Sequence, residues 1–141
     1  MIKVKKIENP AELVEAFKIR QVVFVEEQQV DREEEYDGLD DISEQYLATI
    51  NEIPAGTARW RKTPEGKIKL ERFAVLKQFR KKGIGKALVS ATLNDVPTDK
   101  EVYLNAQLSA VFLYEPFGFK KEGDTFWEAN IEHYKMVLNR K

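Results

Sequence analysis

The sequence contains no cysteine and only one histidine, and these two shortages exclude several kinds of chemistry. Without a thiol there can be no disulfide framework, no cysteine-based zinc site and no cysteine nucleophile. A single imidazole, His133, cannot build a multi-histidine metal centre, so no metal site is predicted. The absence of cysteine suits the reducing cytoplasm, which is the location that we expect.

The chain also lacks a long apolar run and a strong excess of either charge. Residues 1–6 do not form the hydrophobic stretch of a signal peptide, and no run reaches the about 20 residues of a membrane span. The formal net charge is −1, which argues against a dedicated nucleic-acid binder. We therefore expect neither a membrane nor a nucleic acid as a partner.

What the sequence does contain is enough apolar material for one domain. Of its 141 residues, 43% are hydrophobic, which predicts a single domain over residues 1–141. The charges are segregated along the chain. Residues 26–44 carry ten acids against Arg32, and residues 59–86 carry eleven bases against Glu65 and Glu71. One part of the surface should attract cations and another anions, unless both are ordinary solvated stretches.

Hydrophobic periodicity and turn residues divide the chain into alternating strands and helices. Strands are predicted over residues 2–7, 44–51, 55–62, 67–75, 102–104, from 118 onward and over 132–138. Helices are predicted over residues 10–24, 84–93 and 108–114, and the acidic residues 31–41 are predicted to form a loop. This order indicates a mixed α/β fold in which helices cover a central sheet.

The most informative motif is Arg80-Lys81-Lys82-Gly83-Ile84-Gly85, which lies between a predicted strand and a predicted helix. Glycines allow a tight turn, and the first turn of a helix offers unpaired N–H groups with a partial positive charge, so the motif suits a pyrophosphate. Neither nucleotide motif fits, because position 88 is Leu where a dinucleotide fold needs Gly, and position 87 is Ala where a P-loop needs Ser or Thr. A plain glycine at a helix start remains an alternative.

Arg80, Gly83 and Gly85 fill the three defining positions of the R/Q-x-x-G-x-G/A turn of the GNAT superfamily of N-acetyltransferases, which the sequence therefore resembles. The segment 70–75 resembles the fourth strand of that family, and 110–119 resembles its A-x-x-L-Y-x-x-x-G-F segment. Residues 20–28, 105–107 and 131–136 resemble the small bacterial ElaA/YjcF-like branch.

The resemblance implies a single-domain fold with a central mixed, largely antiparallel sheet, and acetyl-CoA as the acyl donor. It implies that the turn, from Arg80 through Lys81, Lys82, Gly83, Ile84 and Gly85 to Lys86, binds the pyrophosphate. The strand residues Phe73, Ala74 and Val75 would pair through their backbone with the pantetheine arm. Gln107 stands where many members carry Asn, so either Gln107 or Asn105 is expected to bind that arm.

For catalysis, the resemblance makes Tyr114 the candidate acid that protonates the leaving thiolate, against the alternative of an aromatic packing residue. Glu71 is a candidate base, because period-two alternation puts Glu71, Phe73 and Val75 on one face; the alternative is an ion pair with Arg59 or Arg61. His133 is a second candidate base, or else a packed, hydrogen-bonded histidine.

The expected reaction is direct transfer of the acetyl group to a primary amine of a small acceptor. Because the loop 31–41 is acidic, we expect a cationic acceptor, and a homodimer is common among relatives. Two alternatives stay open: a non-catalytic domain that binds acetyl-CoA, and a nucleotide-binding module that uses the glycine turn.

Overall fold

Seven strands form the centre of the computed structural model, which describes residues 1–139. They are Ile2–Lys6 (β1), Glu44–Ile50 (β2), Ile53–Lys62 (β3), Ile68–Val75 (β4), Val102–Gln107 (β5), Phe119–Glu128 (β6) and Ile131–Leu138 (β7). Their order in the sheet is β1-β2-β3-β4-β5-β7-β6. Every neighbouring pair is antiparallel except β4 and β5, which are parallel. The expected mixed, largely antiparallel sheet is confirmed.

The helices predicted from residues 10 and 84 begin there, whereas the one predicted from residue 108 starts as a 3₁₀ turn and is α-helical only from Val111, and a short unpredicted helix lies in the segment 31–41. Helices α1 to α4 span Pro10–Arg20, Arg32–Glu35, Ile84–Asp95 and Val111–Tyr114. The Asn9 side chain caps α1 by accepting a hydrogen bond from the Glu12 N–H at 2.9 Å. From Gln21 to Glu27 the chain continues as a π-helix, so the prediction that the helix stops near residue 24 is short by a turn. Within residues 1–139 no helix is long and apolar enough to cross a membrane.

The two faces of the sheet are covered by different helices. Helix α3 packs Ile84, Leu88 and Val89 onto the face that we call the α3 face, together with α4. Gly56 of β3 permits this close packing, because a Cβ there would meet Ile84 at 3.0 Å. Helix α1 and the π-helix cover the opposite face, called the α1 face, where Val23 is buried in one cluster with Leu47 and Ala74.

The parallel strands β4 and β5 separate soon after they begin to pair. Their ladder covers only Ile68–Leu70 and Val102–Leu104, although β4 continues to Val75 and β5 to Gln107. Beyond Leu70 and Leu104, the facing edges of the two strands therefore enclose a gap in the middle of the sheet. This gap connects the α1 face with the α3 face.

A β-bulge at Arg72 overturns one prediction about the site. The register passes from Arg59–Glu71 to Thr57–Ala74, which leaves an extra residue on β4, and Arg72 has φ of +61°. Phe73 packs on the α3 face, whereas Glu71 reaches Arg59 on the α1 face. The prediction that Glu71 shares a face with Phe73 and Val75 is wrong, because strict alternation assumes an unbulged strand.

Candidate active site

The gap between β4 and β5 opens into a cleft of ≈ 980 Å³ that reaches both faces of the sheet. Of the residues predicted to act in the site, all but Lys82 line this cleft. They are Glu71, Phe73, Ala74, Val75, Arg80, Lys81, Gly83, Ile84, Gly85, Lys86, Asn105, Gln107, Tyr114 and His133. The α3 side of the cleft holds the glycine turn, Phe73 and Tyr114, and the α1 side holds Glu71 and His133.

The turn before α3 presents six consecutive backbone N–H groups that have no partner in the described part of the chain. Lys81 and Gly83 adopt left-handed conformations, with φ of +65° and +91°. Among residues 1–139, the N–H groups of residues 81–86 donate to no acceptor, and the first bond of the helix runs from the Ala87 N–H to the Gly83 carbonyl at 3.1 Å. An array of free N–H groups at the positive end of a helix is suited to bind an anion.

Beyond Leu70, the gap-side edge of β4 pairs with no other strand within residues 1–139. Leu76 donates its N–H to the Ala55 carbonyl of the β3 side. Because backbone groups alternate direction along an antiparallel strand, Phe73 and Val75 direct theirs away from β3, toward the gap. The Val75 carbonyl accepts one hydrogen bond there, from Arg80 Nε at 2.9 Å. This edge can pair with an extended amide-containing ligand.

Two adjacent residues at the end of the π-helix connect the two sides of the gap. Glu27 accepts two hydrogen bonds of 2.7 Å from Arg80, and these bonds hold the pKa of Glu27 below its ordinary value. Gln28 accepts a 2.8 Å hydrogen bond from Gln107 Nε2. The Arg80 side chain thus connects the turn to β4 and to the π-helix. The Asn105 amide has no side-chain partner within the described part of the chain.

We expect Gly83→Ala to weaken CoA binding about tenfold, because the left-handed conformation costs an alanine roughly 1–2 kcal/mol and the turn must change to avoid it. The dissociation constant for CoA, measured by calorimetry, checks this. Gly123→Ala is the matched control, since Gly123 also has positive φ, +76°, and open space around a Cβ, but lies in the β6 strand. Equal CoA affinities for the two variants would contradict the role of the turn.

Tyr114 lies at the end of α4 and is buried, with 6% exposure. Its ring packs edge-on against Phe73 and Phe119, with centroids 5.6 and 6.1 Å away. Burial raises the pKa of the Tyr114 phenol well above its usual range, so the hydroxyl keeps its proton near neutral pH. Within residues 1–139 this hydroxyl has no hydrogen-bond partner, which leaves its proton available to a bound molecule.

His133 lies on the α1 face, directly opposite Gln107 in the β5–β7 ladder. Its Nδ1 is 2.7 Å from the Ile131 carbonyl oxygen, and its ring stacks on Phe126 at 5.7 Å. Because a carbonyl oxygen only accepts, Nδ1 carries the hydrogen, and in the neutral ring Nε2 then holds the lone pair. The imidazole is therefore fixed in the orientation and tautomer that a proton acceptor needs.

Glu71 makes the ion pairs that the sequence offered as its alternative. Arg61 Nε donates to its carboxylate at 2.5 Å, and Arg59 Nη2 lies at 3.3 Å. Burial favours the neutral acid, but the nearby cations Arg59, Lys69 and Arg61 outweigh it and lower the pKa of Glu71. The carboxylate is thus held ionised and is a weak base.

The acidic segment 31–41 is not wholly the loop that the sequence predicts. It contains α2 and a short 3₁₀ turn at Asp40–Ile42, and three arginines of the body bind its acids. The pairs are Arg20 with Glu35 and Asp40, Arg59 with Asp37 and Asp40, and Arg72 with Glu35 and Asp37. Glu35, Asp37 and Asp40 therefore do not supply free negative charge for a cationic acceptor. Among the acids of the segment, only the other four, Asp31, Glu33, Glu34 and Asp41, have no ion-pair partner within residues 1–139.

Comparisons with known proteins agree with this architecture. The family described as acetyltransferase (GNAT) domain matches residues 11–140. The uncharacterized N-acetyltransferase YjcF of Bacillus subtilis (strain 168) is 38% identical over 133 residues, which cover 92% of this chain and 94% of YjcF.

Two solved structures share the fold. Escherichia coli ElaA superposes with a TM-score of 0.83 at 25% identity, covering 99% of this chain and 100% of ElaA. A Bacillus subtilis acetyltransferase in complex with CoA gives 0.70 at 17% identity, covering 99% of both chains. The expected family and its ElaA/YjcF-like branch are confirmed: the chain belongs to the GNAT family of acyl-CoA-dependent N-acetyltransferases.

Proposed function

We propose that the protein transfers the acetyl group of acetyl-CoA directly to a primary amine of a small acceptor. The observation that carries this proposal is the row of six unpaired N–H groups at residues 81–86, at one end of a cleft that also contains Tyr114 and His133. The Bacillus subtilis relative of the same fold that binds CoA supports the choice of donor.

The residues of the cleft fit both the pyrophosphate of the donor and the amides of its pantetheine arm. The N–H groups of residues 81–86, with Lys81 and Lys86 beside them in the cleft wall, would hold the pyrophosphate. The free backbone edge at Phe73 and Val75 would pair with the amides of the pantetheine arm. The arm would then run into the gap, with the thioester toward Tyr114.

Transfer needs one group that accepts a proton and one that donates a proton. The amine nitrogen attacks the thioester carbonyl carbon, the C–S bond breaks as the tetrahedral intermediate collapses, and the sulfur leaves as a thiolate. Tyr114, whose phenol carries its proton near neutral pH, gives that proton to the thiolate. Because the chain contains no cysteine, no acyl-cysteine intermediate can form, which supports direct attack of the amine on the donor.

His133 is the better of the two candidate bases. Within residues 1–139 its Nε2 lone pair has no hydrogen-bond partner, whereas the cations around Glu71 lower the pKa of that carboxyl and weaken it as a base. In this proposal His133 removes the proton of the attacking amine, and Glu71 positions Arg61 and Arg59. Asn105 and Gln107 lie on the same face of β5 and remain the predicted contacts of the donor arm.

The test is a free-thiol release assay with acetyl-CoA and a panel of primary amines, with the product identified by mass spectrometry. We expect acetylated amine and CoA in equal amounts. Tight binding of acetyl-CoA without acetylation of any amine would instead indicate a non-catalytic binding domain. Preference for ATP or NAD over acetyl-CoA would contradict the proposed donor. The homodimer and the cytoplasmic location stay predictions.

His133→Gln should lower kcat/KM about 100-fold near neutral pH and much less near pH 10, where the amine loses its proton without help. The pH–rate profile measures this, with Glu71→Gln as the paired variant. If the pH-dependent loss follows Glu71→Gln and not His133→Gln, the base is Glu71 and the assignment to His133 is wrong.

A further inference from the structure

Arg61 and Lys69 lie directly opposite each other across the β3–β4 ladder, and both line the α1 side of the cleft. Their side chains are only 12% and 16% exposed. Like charges directly opposite in an antiparallel pair are destabilising, so this arrangement costs stability unless an anion lies between them. Among residues 1–139, Glu71 is the one carboxylate within ion-pair distance of either cation.

Glu71 accepts a hydrogen bond from only one donor group of these two cations. It accepts from Arg61 Nε, while Lys69 Nζ stays 3.8 Å from its nearer oxygen, too far for a hydrogen bond. The Arg61 Nη1 and Nη2 groups and the Lys69 ammonium have no hydrogen-bond acceptor among the described residues. Unused donors on two partly buried cations thus line the cleft.

The charges of the surrounding ion-pair network do not balance. The network joins five cations to four carboxylates: Arg20, Arg59, Arg61, Lys69 and Arg72 with Glu35, Asp37, Asp40 and Glu71. With every carboxyl ionised, one positive charge is in excess. Arg20, Arg59 and Arg72 each contact two or more of these carboxylates, so the excess lies at the end formed by Arg61 and Lys69.

We propose that the acceptor amine also carries a carboxylate, and that Arg61 and Lys69 bind it. A carboxylate supplies the single negative charge that the network lacks, and the free edge of a guanidinium matches its two oxygens. This inference rests on the proposed function. Lys69 pairs with Tyr103 in the closed part of the β4–β5 ladder, so a carboxylate held there lets the amine extend into the gap, toward His133.

The remaining charges on this side of the cleft fit the same ligand. Glu33, Glu34 and Glu128 line the rim and are exposed to solvent, where their charges are screened. An acidic rim favours the ammonium group of an entering ligand, and the basic floor favours its carboxylate. A zwitterionic amino acid satisfies both, whereas a polyamine would meet Arg61 and Lys69 with charge of the same sign.

The experiment compares each acceptor with its own uncharged amide in the thiol-release assay. The panel contains the proteinogenic amino acids, β-alanine and 4-aminobutanoate, each beside its primary amide, with 1,4-diaminobutane and spermidine as cationic members. We expect the best amino acid to exceed its amide about tenfold or more in kcat/KM, which is the usual range for hydrogen bonds to a charged group.

Two variants connect that preference to the cations. Arg61→Gln and Lys69→Gln should each remove most of the preference for the amino acid over its amide. The main cause should be a higher KM for the amino acid, while KM for the amide changes little. Lys62→Gln is the matched control, because Lys62 is the exposed neighbour of Arg61 on β3 and does not line the cleft. CoA affinity, which depends on the distant turn, verifies that each variant is folded.

The outcomes separate this inference from the proposed function. The carboxylate site would be contradicted if amides or diamines were the best substrates. It would also be contradicted if Arg61→Gln and Lys69→Gln both kept the full preference for the amino acid over its amide. A second readout is the melting temperature of the CoA-loaded protein, which the preferred amino acids should raise and their amides should not. Stabilisation without acetylation of any amine would contradict the proposed function and support the carboxylate site, and no stabilisation by any amino acid would contradict the site.

Discussion

Replacing Tyr114 by phenylalanine should lower kcat by about 100-fold or more and leave the dissociation constant of acetyl-CoA unchanged. The substitution removes one oxygen from a buried ring and keeps its packing on Phe73 and Phe119. Since the hydroxyl has no partner within residues 1–139, its loss leaves no other polar group unpaired. The expected effect is therefore confined to protonation of the leaving thiolate, and steady-state kinetics together with calorimetry separate the two quantities.

Tyr134→Phe is the control for that experiment, because Tyr134 packs on the same face of the sheet but does not line the cleft. It should leave kcat within about twofold of the parent protein. A Tyr114→Phe variant that keeps its kcat would remove Tyr114 from the mechanism. A variant that loses acetyl-CoA affinity instead would make Tyr114 a binding residue.

Arg59→Met should reduce the free energy of unfolding by about 3–5 kcal/mol, a large share of the 5–15 kcal/mol that is typical of a domain. The Arg59 side chain has no exposed surface, and it pairs with Asp37, Asp40 and Glu71. Methionine fills much of the space, but it removes the positive charge that pairs with three partly buried carboxylates. Urea denaturation measures the loss, and Arg32→Met, at an exposed arginine, should cost less than about 1 kcal/mol.

The pH dependence of stability gives that prediction a second readout. Burial acts to raise the pKa of Asp37 and Asp40, but Arg59 and Arg72 at Asp37, and Arg20 and Arg59 at Asp40, lower both pKa values below the ordinary value. A lowered folded-state pKa contributes stability above about pH 4, and that contribution is lost as the pH falls further. The parent protein should therefore lose stability below pH 4 more steeply than Arg59→Met, and parallel curves would contradict the assignment.

The structure of the α3 side of the cleft, where we propose that the donor binds, could be predicted from the sequence because its determinants are local. The strand ending at Val75, the turn at Gly83 and the apolar stripe of α3 follow one another within about two dozen residues. Conformational rules for glycine and for helix termini apply directly to such a segment. The order of strands and helices was predictable for the same reason, since each element shows its own periodicity.

The α1 side of the cleft could not be predicted in the same way, because its contacts join segments that are distant in the sequence. Asp37 and Arg59 are 22 positions apart, and Gln28 and Gln107 are 79 positions apart. From the sequence alone the acids of 31–41 look unopposed, although the arginines that bind them stand in the basic stretch 59–86 and at Arg20. The sequence did contain one signal for these contacts, namely the opposite charges of the stretches 26–44 and 59–86. In the structure, ion pairs connect the two stretches.

The bulge at Arg72 shows how one residue changes the interpretation of a strand. Nothing in the residues 70–75 marks an insertion, because an arginine at φ of +61° has no side-chain signature of the kind that glycine gives. The contacts that stabilise it are tertiary: Arg72 pairs with Glu35 and Asp37 of the acidic segment. The bulge places Glu71 on the α1 face and Phe73 on the α3 face, so that one strand lines both sides of the cleft.

A titration of the ¹⁵N-labelled protein with CoA tests most directly whether the turn at residues 81–86 binds the pyrophosphate. The backbone amide signals of these residues report the binding. The unpaired N–H groups of this turn should shift or gain protection from hydrogen exchange when CoA binds. Pantetheine, which has the arm but not the pyrophosphate, should leave these signals in place while it perturbs Phe73 and Val75. CoA that binds without any change at residues 81–86 would contradict the assignment of the turn to the pyrophosphate.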